Sequence, residues 1–541
     1  MGVEIIAKQN NFLKGAAILG IAGIIVKILG AVYRIPIVNI IKDEGIGYYQ
    51  TAYPFYSLLL TIATAGFPVA IAKLASEKRA VGDYKGAYKV FKVALLGLII
   101  GGTLASLFVA LGARTIVEKL KNPNAYYSLI ALVPALFFVP IMSAFRGFFQ
   151  GRQNMTPTAI SQIAEQLSRV ASGLFLTSYL LKYGIPIAAG GASFGGSVGG
   201  IVGGITIFII FMMSRKEIHH EIENSIESKE YKVSNIVKDL LVISIPITLG
   251  SSIAPIMDAI DTTFVLNRLQ AINYSEELAN SLYGQLKGMA QTLINLPQVF
   301  SIAISMSLVP AIADAKARKR KTEINSIASS GIRMTLLIGL PCAFGLFVLA
   351  KPIIGLLYYK NTLETINSTG EILSYLSFGV ITLTLVQCLT AILQGLGRVM
   401  VPVISLFIGA VVKVILTYVL TGIPSINIKG AAISTVAAYT IAALLDLMSL
   451  VRSSKIKLDF KNIFLKPLIS SIVMAIIAKA SFILLNNIIG QRLATILAVL
   501  IGVVLYFILL IITGSITTED FKLLPKGDKI EKKLERFKIF K

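Results

Sequence analysis

The stretch FRGFFQGRQNMTPTAISQIAEQLSRV, residues 145–170, places Arg146, Arg152, Glu165 and Arg169 close together in a chain that is 55% hydrophobic and only 15% charged. Glu165 and Arg169 stand one helical turn apart, so their side chains can pair on one face. A guanidinium that is not consumed by such a pair offers a planar fork suited to two oxygens of a phosphate. Further charges occur in apolar surroundings: Lys27, Arg34, Asp258, Asp261 and Lys413. A charge deep in a bilayer costs at least about 2.5 to 3.5 kcal/mol, so each one is expected to face a wet cavity or a partner.

The elements that carry these residues are long and apolar. Mean hydropathy is +0.77 over 541 residues, and soluble proteins carry about 25% charged residues. Runs of about 20 apolar residues, enough to cross a hydrocarbon core as helices, recur from end to end. The sequence predicts an all-α integral membrane protein with fourteen spans: 12–41, 46–72, 88–113, 124–148, 156–181, 189–213, 237–266, 284–313, 330–357, 371–396, 400–421, 429–451, 463–488 and 492–514. The loops on the side of the N-terminus hold most of the 51 Lys and Arg, which places both termini in the cytoplasm by the positive-inside rule. The formal charge of +23 is spread over these short loops and a basic tail, so anionic lipid headgroups rather than nucleic acid are the expected partner.

Two halves resemble each other. AIAKLASEKR (70–79) recurs as AIADAKARKR (311–320), FFQG (148–151) as ILQG (392–395), and GASF (191–194) weakly as GAAI (430–433), at offsets of 241, 244 and 239. Six spans per half keep the same orientation, so the repeat is parallel, with a pseudo-twofold axis along the membrane normal, as in transporters that rock two lobes around a central cavity. The expected layout is a six-helix lobe at 1–214, a cytoplasmic linker at 215–236, a second lobe at 237–452, extra helices at 453–514 and a basic tail at 515–541. A duplicated scaffold without a pathway is the alternative.

The repeat sharpens the charge reading. With the offset of 244, Arg169 maps onto Lys413 and Glu165 onto Gly409, so Lys413 has no carboxylate one turn away on its own helix. Two related cations are therefore expected to flank a cavity for an anionic substrate, unless Glu165 simply satisfies Arg169. Arg34 lies in the outer third of span one; Asp258 and Asp261 lie in the outer third of its repeat partner, span seven, three residues apart. An outer gate between them is one reading, and snorkelling of Arg34 to the headgroups is the other. Lys27 is deep but unassigned. Gly191, Gly195, Gly199 and Gly203 recur every fourth residue, which suits close helix packing in lipid. Prolines at 36, 54, 68, 246, 255, 297 and 310 fall in the first two helices of each half, where bends serve a rocking motion or are static kinks. Two cysteines inside spans and two adjacent histidines in the linker suggest no metal site, and no catalytic constellation is visible.

KILGAVYRIPI and DEGIGYYQTAYPFYSLLLTIATAGFPVAIAKL (27–74), together with the 145–170 stretch, resemble the polysaccharide-export branch of the multidrug/oligosaccharidyl-lipid/polysaccharide (MOP) flippase superfamily. Within it the chain looks most like the stage V sporulation protein B group, which includes lipid II flippases of the MurJ type. The resemblance implies a V-shaped pair of lobes, a lipid-facing groove on helices thirteen and fourteen, and alternating access that carries an undecaprenyl-diphosphate-linked glycan across the bilayer. It implies cavity arginines that hold the diphosphate, with Arg34 the nearest equivalent by motif position, although Tyr33-Arg34-Ile35 lacks the Arg-Asp pair of Gram-negative members. Arg146 and Arg152 are then expected in an entry loop that meets the incoming diphosphate, with Arg34, Arg169, Lys413, Glu165 and Lys27 in the cavity. Some relatives hold sodium among carboxylates of the second lobe. Here Lys413 can take the place of such an ion, so no cofactor is expected and the membrane potential is the alternative drive, at about 2.3 kcal/mol per charge per 100 mV. The expected state is a monomer that works beside cell-wall synthases. A small-cation exporter of the same superfamily is the other reading and requires cavity carboxylates in place of cations.

Overall fold

The structure, a computed structural model, describes residues 2–226, 231–454 and 459–515, so most of the basic tail lies outside the described residues. The described residues form helices and short turns without a strand, as the long apolar runs require: in lipid, only intra-helical bonding satisfies the backbone of a single segment. Eleven helices are long and apolar enough to span a membrane, and the bent pair Leu363–Ser377 and Gly379–Gly395 makes a twelfth. The remaining two expected spans also fall on helices. Gly2–Thr64 is broken at Lys42 (φ 60°) and therefore covers both of the first two expected spans. Thr156–Leu180, the expected fifth span, is 25 residues long but diluted by Glu165, Arg169 and neighbouring polar residues. The fourteen expected spans are thus all helical.

The break at Lys42 falls six residues beyond Pro36 and twelve before Pro54, so neither proline marks the bend. Near Pro68 and Pro297, by contrast, helices do end or begin: Phe67–Ala80 starts with Pro68 in its first turn, and Gln298–Ala317 is capped by Pro297.

Two compact units are distinguishable. One comprises 1–267 with 275–284, and the other 268–274 with 285–541. This grouping by contact differs from the sequence division at 215–236. Much of Val233–Ala271 clusters with the first unit, and the 275–284 stretch returns to it through hydrogen bonds. Asn280 Nδ2 donates to the Glu44 carbonyl oxygen (2.8 Å), Asn122 Nδ2 donates to Asn280 Oδ1 (2.8 Å), and the Thr262 and Tyr283 hydroxyls bond at 2.6 Å. Residues 215–223 are themselves helical rather than an extended linker.

The repeated sequence motifs have a physical meaning inside each unit. In the first, Gly151 of FFQG lies against the Phe67–Ala80 helix, where an added Cβ would be 3.0 Å from the Ala72 carbonyl oxygen. In the second, Gly395 of ILQG lies against Gln298–Ala317, 2.9 Å from the Val309 carbonyl oxygen by the same construction. Each glycine admits the helix that carries the other repeated motif, so the two matches form one packing joint used twice.

The glycine ladder of Ile185–Met213 does the same for the charged helix. Added Cβ atoms on Gly195 and Gly199 would stand 2.7 Å from the Arg169 carbonyl oxygen and 2.8 Å from that of Glu165. No side chain fits there, and Thr156–Leu180 is held backbone to backbone.

Candidate functional site: a shared carboxylate between two arginines

Thr156–Leu180 is the element on which the charges converge. Glu165 and Arg169 are paired as the one-turn spacing predicts, with Arg169 Nη2 3.5 Å from Glu165 Oε1. The pair is not closed, however. Arg146 Nη2 donates to Glu165 Oε2 at 3.0 Å, and Arg146 also donates to the Ser161 hydroxyl from Nε (3.2 Å) and Nη2 (2.8 Å). Ser161 in turn donates to the Gly203 carbonyl oxygen at 3.0 Å, which ties the cluster to the glycine ladder. Two guanidiniums therefore share one carboxylate, leaving one formal positive charge. The side chains are 13%, 18% and 19% exposed for Arg146, Glu165 and Arg169, so the cluster is neither sealed nor freely solvated. Arg169 Nε is buried and has no hydrogen-bond partner among the described residues.

An aromatic face adjoins these cations. Tyr49, Tyr53 and Tyr56 repeat along one side of their helix, with ring centroids 5.8 Å apart for each successive pair, and all three lie near Arg169. Tyr33 donates from its hydroxyl to the Ala192 carbonyl oxygen (3.1 Å), and its oxygen fills the space beside Gly173, one turn from Arg169. Phenols beside guanidiniums make a site that can hydrogen-bond an oxyanion and stack on a planar or sugar face.

Of the two arginines expected in an entry loop, Arg152 lies in the turn that follows Val133–Gly151, whereas Arg146 lies within that helix. Arg146 belongs to the helix Val133–Gly151 and to the cluster itself. Arg152 caps that helix, is 6% exposed, and is bound by Glu217 (2.6 Å) and Glu221 (2.5 Å) of Arg215–Glu223. Its guanidinium is occupied by carboxylates and fastens that short helix. Arg79 joins it on Glu221 at 2.6 and 2.8 Å. Burial would raise the Glu221 carboxyl, but the Arg79 hydrogen bonds and the nearby Arg152 charge hold it below the usual carboxylate range.

Arg34 is half-buried on the helix that carries Tyr33, and it acts on Tyr49. Asp258 is half-buried and Asp261 is 3% exposed. Lys27 stands exposed. In the second unit Lys413 is 6% exposed on Met400–Thr421, and Gly409 lies where its Cβ would be 2.6 Å from the Ala438 carbonyl oxygen. The structure also holds residues that the sequence reading passed over. Asp446 on Ile428–Ser454 is 0% exposed, and its carboxyl faces the Ser405 side chain of Met400–Thr421. A lone acid in AALLDLMSL met the same criterion that singled out Arg169. Lys287 is 7% exposed in the π-turn Gln285–Ala290. The 49, 53, 56 tyrosine spacing was likewise readable as one helix face.

The second unit contains an apolar cavity of about 550 Å³. Its walls come from Lys321–Val348, Lys466–Ile489 and Gln491–Ile512, with Leu337, Leu349, Met474, Ala498, Tyr506 and Phe507 among the lining residues. The Tyr506 hydroxyl is turned away to the Leu337 carbonyl oxygen at 3.0 Å, which leaves hydrocarbon and ring surface toward the cavity.

Many apolar helices with a buried charge cluster among them define a multi-pass membrane protein. Residues 12–316 match the family described as "Polysaccharide biosynthesis protein", and 287–419 match the MatE family. Among curated relatives, the chain is 31% identical to the uncharacterized membrane protein YabM of Bacillus subtilis (strain 168), covering 98% of each chain. It is 30% identical to stage V sporulation protein B of that organism, over 84% of this chain and 86% of the relative, and 27% identical to its lipid II flippase MurJ, over 81% and 82%. Among solved structures, a lipid II flippase MurJ in an inward closed conformation matches with TM-score 0.69 at 18% identity, covering 91% of this chain and 97% of the other. An inward-facing MATE-family multidrug transporter matches at 0.66 and 15%, covering 80% and 95%. This chain belongs to the polysaccharide biosynthesis protein family.

Proposed function

We propose that this protein is a flippase for an undecaprenyl-diphosphate-linked glycan precursor, lipid II in particular, moved from the inner to the outer leaflet by alternating access for peptidoglycan synthesis. The observation that carries the reading is the Arg146–Glu165–Arg169 cluster: two guanidiniums on one carboxylate, beside phenols, form a net cationic site in an otherwise apolar fold. A diphosphate supplies the missing negative charge, and the fork of Arg169 can bind two of its oxygens. The 550 Å³ groove offers apolar walls to a polyprenyl chain, so the tail stays in hydrocarbon while the head is moved. Similarity to relatives named as a lipid II flippase and as a sporulation protein supports the substrate class.

In this reading both termini are cytoplasmic, Lys413 is the second cavity cation, and Arg34 with Asp258 and Asp261 forms the outer gate. Membrane potential drives the cycle, and the protein acts as a monomer beside cell-wall synthases. The test is complementation of a strain depleted of its lipid II flippase. Growth with the wild-type chain and loss of growth with Arg169→Ala at equal membrane abundance are expected. Failure of the wild type despite normal abundance would redirect the assignment to another lipid-linked glycan.

A further inference from the structure

A second cavity, about 470 Å³, lies in the first unit where Thr156–Leu180 begins and Ile185–Met213 ends. It is amphiphilic in construction. Ile160, Ile210 and Met213 form one wall, while Asn154, Thr156 and Lys216 contribute polar groups to another. Ile160 and Met213 are 47% and 79% exposed, so the apolar wall opens to the surroundings of the helices, which in a membrane protein is lipid.

The charge at the polar end is positive. Lys216 is exposed and makes no ion pair among the described residues. Glu217 also lines the cavity, but its carboxylate is bound by Arg152 at 2.6 Å, which offsets its charge. The first turn of Thr156–Leu180 has no side-chain cap from its N-cap residue; Asn154 Oδ1 accepts from the Thr156 amide at 3.2 Å, and the Thr158 hydroxyl on that turn is buried without a hydrogen-bond partner. A helix start adds partial positive charge to that of Lys216.

We infer that this cavity binds an anionic phospholipid of the phosphatidylglycerol type, with its phosphate at Lys216 and the Thr156 turn and its acyl chains along Ile160 and Met213. The apolar wall favours an amphiphile over a free phosphate, and the lysine favours a net anionic head over a zwitterionic one, whose ammonium offsets its phosphate charge. The site is separate from the Arg146–Glu165–Arg169 cluster, and the inference does not depend on what the protein transports.

Native mass spectrometry of the full chain, with titrated phosphatidylglycerol, tests it. The wild type is expected to retain a lipid adduct that Lys216→Glu binds about tenfold more weakly, by loss and reversal of one interfacial charge. Met213→Asp should weaken the same adduct, while Lys238→Glu, on an exposed residue away from the cavity, leaves it unchanged. Thermal melts of the three variants without added lipid check that each is folded. Equal binding of phosphatidylcholine, or an adduct unaffected by Lys216→Glu, would overturn the assignment. Displacement by millimolar inorganic phosphate would reduce the site to a phosphate site, and preferential displacement by undecaprenyl phosphate would give it to the transported lipid; either result also overturns it.

Discussion

In the first unit, Thr156–Leu180 packs on Ile185–Met213 through Gly195 and Gly199; in the second, Met400–Thr421 packs on Ile428–Ser454 through Gly409. Each is the most extensive helix pair of its unit, and the two pairs correspond in the sequence repeat. Their charges are arranged differently. The first pair carries Glu165 and Arg169 and recruits Arg146 from a third helix. In the second, the position of Glu165 is Gly409, pressed on the Ala438 carbonyl, and Lys413 is 6% exposed. The carboxylate position has been given over to helix packing. The helix pair recurs, but the packing glycines sit on Ile185–Met213 in the first unit and Gly409 sits on Met400–Thr421 in the second, and the arginine–carboxylate cluster described above belongs to the first unit.

The common joint is the first thing to break, with the largest expected effect. Gly199→Val and Gly409→Val each place a side chain within 3 Å of a carbonyl oxygen on the opposing helix. Backbone cannot yield as a flexible side chain does, and overpacking costs about 1 to 3 kcal/mol or more. Both variants should show sharply reduced folded protein in fluorescence-detected size exclusion, whereas Gly97→Ala, with open space at its Cβ, should match wild type. A normal yield from either valine variant would contradict the close-packed pair.

The charges separate the units. Arg169→Ala is expected to lower flipping of a lipid-linked glycan in proteoliposomes by about 10- to 100-fold, and Arg169→Lys by less, since it keeps the charge and loses the fork. Lys413→Ala should have a smaller effect, because an ammonium lacks the two-pronged fork that a guanidinium offers to a phosphate. Equal losses would mean that the two repeats contribute symmetrically and that the geometric difference has no functional weight.

Glu165→Gln sharpens the same contrast at lower amplitude. It leaves Arg146 and Arg169 facing each other without a carboxylate; breaking such a pair costs about 3 to 5 kcal/mol when fully buried, and less here because the side chains are 13% to 19% exposed. The apparent melting temperature should fall, and an added diphosphate lipid should restore more of it than in the wild type. Absence of any restoration would show that the cluster is a structural tie rather than an anion site.

Much of this was legible in the sequence. Apolar length located most of the expected spans, eleven of the described helices and one bent pair being long and apolar enough to cross a membrane, because the bilayer imposes one requirement on every span. The i, i+4 spacing of Glu165 and Arg169 fixed their pairing. Arg146 was expected in an entry loop, whereas the helix continues to residue 151 and Gly147 and Gly151 serve its packing: a Cβ on Gly147 would be 2.8 Å from the Pro68 carbonyl oxygen. A glycine that breaks a helix and one that admits a neighbour look alike until the neighbour is known. The occupancy of Arg152 was illegible for a similar reason, since its carboxylates lie 65 and 69 residues away on a segment read as solvated linker.

That segment gives the smallest predicted effect. Glu221 accepts from Arg79 and Arg152, and its carboxyl is held below the ordinary range. A carboxyl with a folded-state pKa below its unfolded value of about 4.3 contributes stability that is present above that value and lost as pH falls through the folded pKa. Melting temperature of the wild type should therefore decline on acidification below about pH 4.3. Glu221→Gln should start slightly lower at neutral pH and decline less, so the two curves converge. The effect is small because the Glu221 side chain is 21% exposed and solvent screens its pairs. Parallel curves would show that Arg215–Glu223 is held by its buried Ile218 rather than by these ion pairs. The fastening of Arg152 would then carry no energetic weight, and the contrast between the units would rest on the membrane-embedded cluster alone.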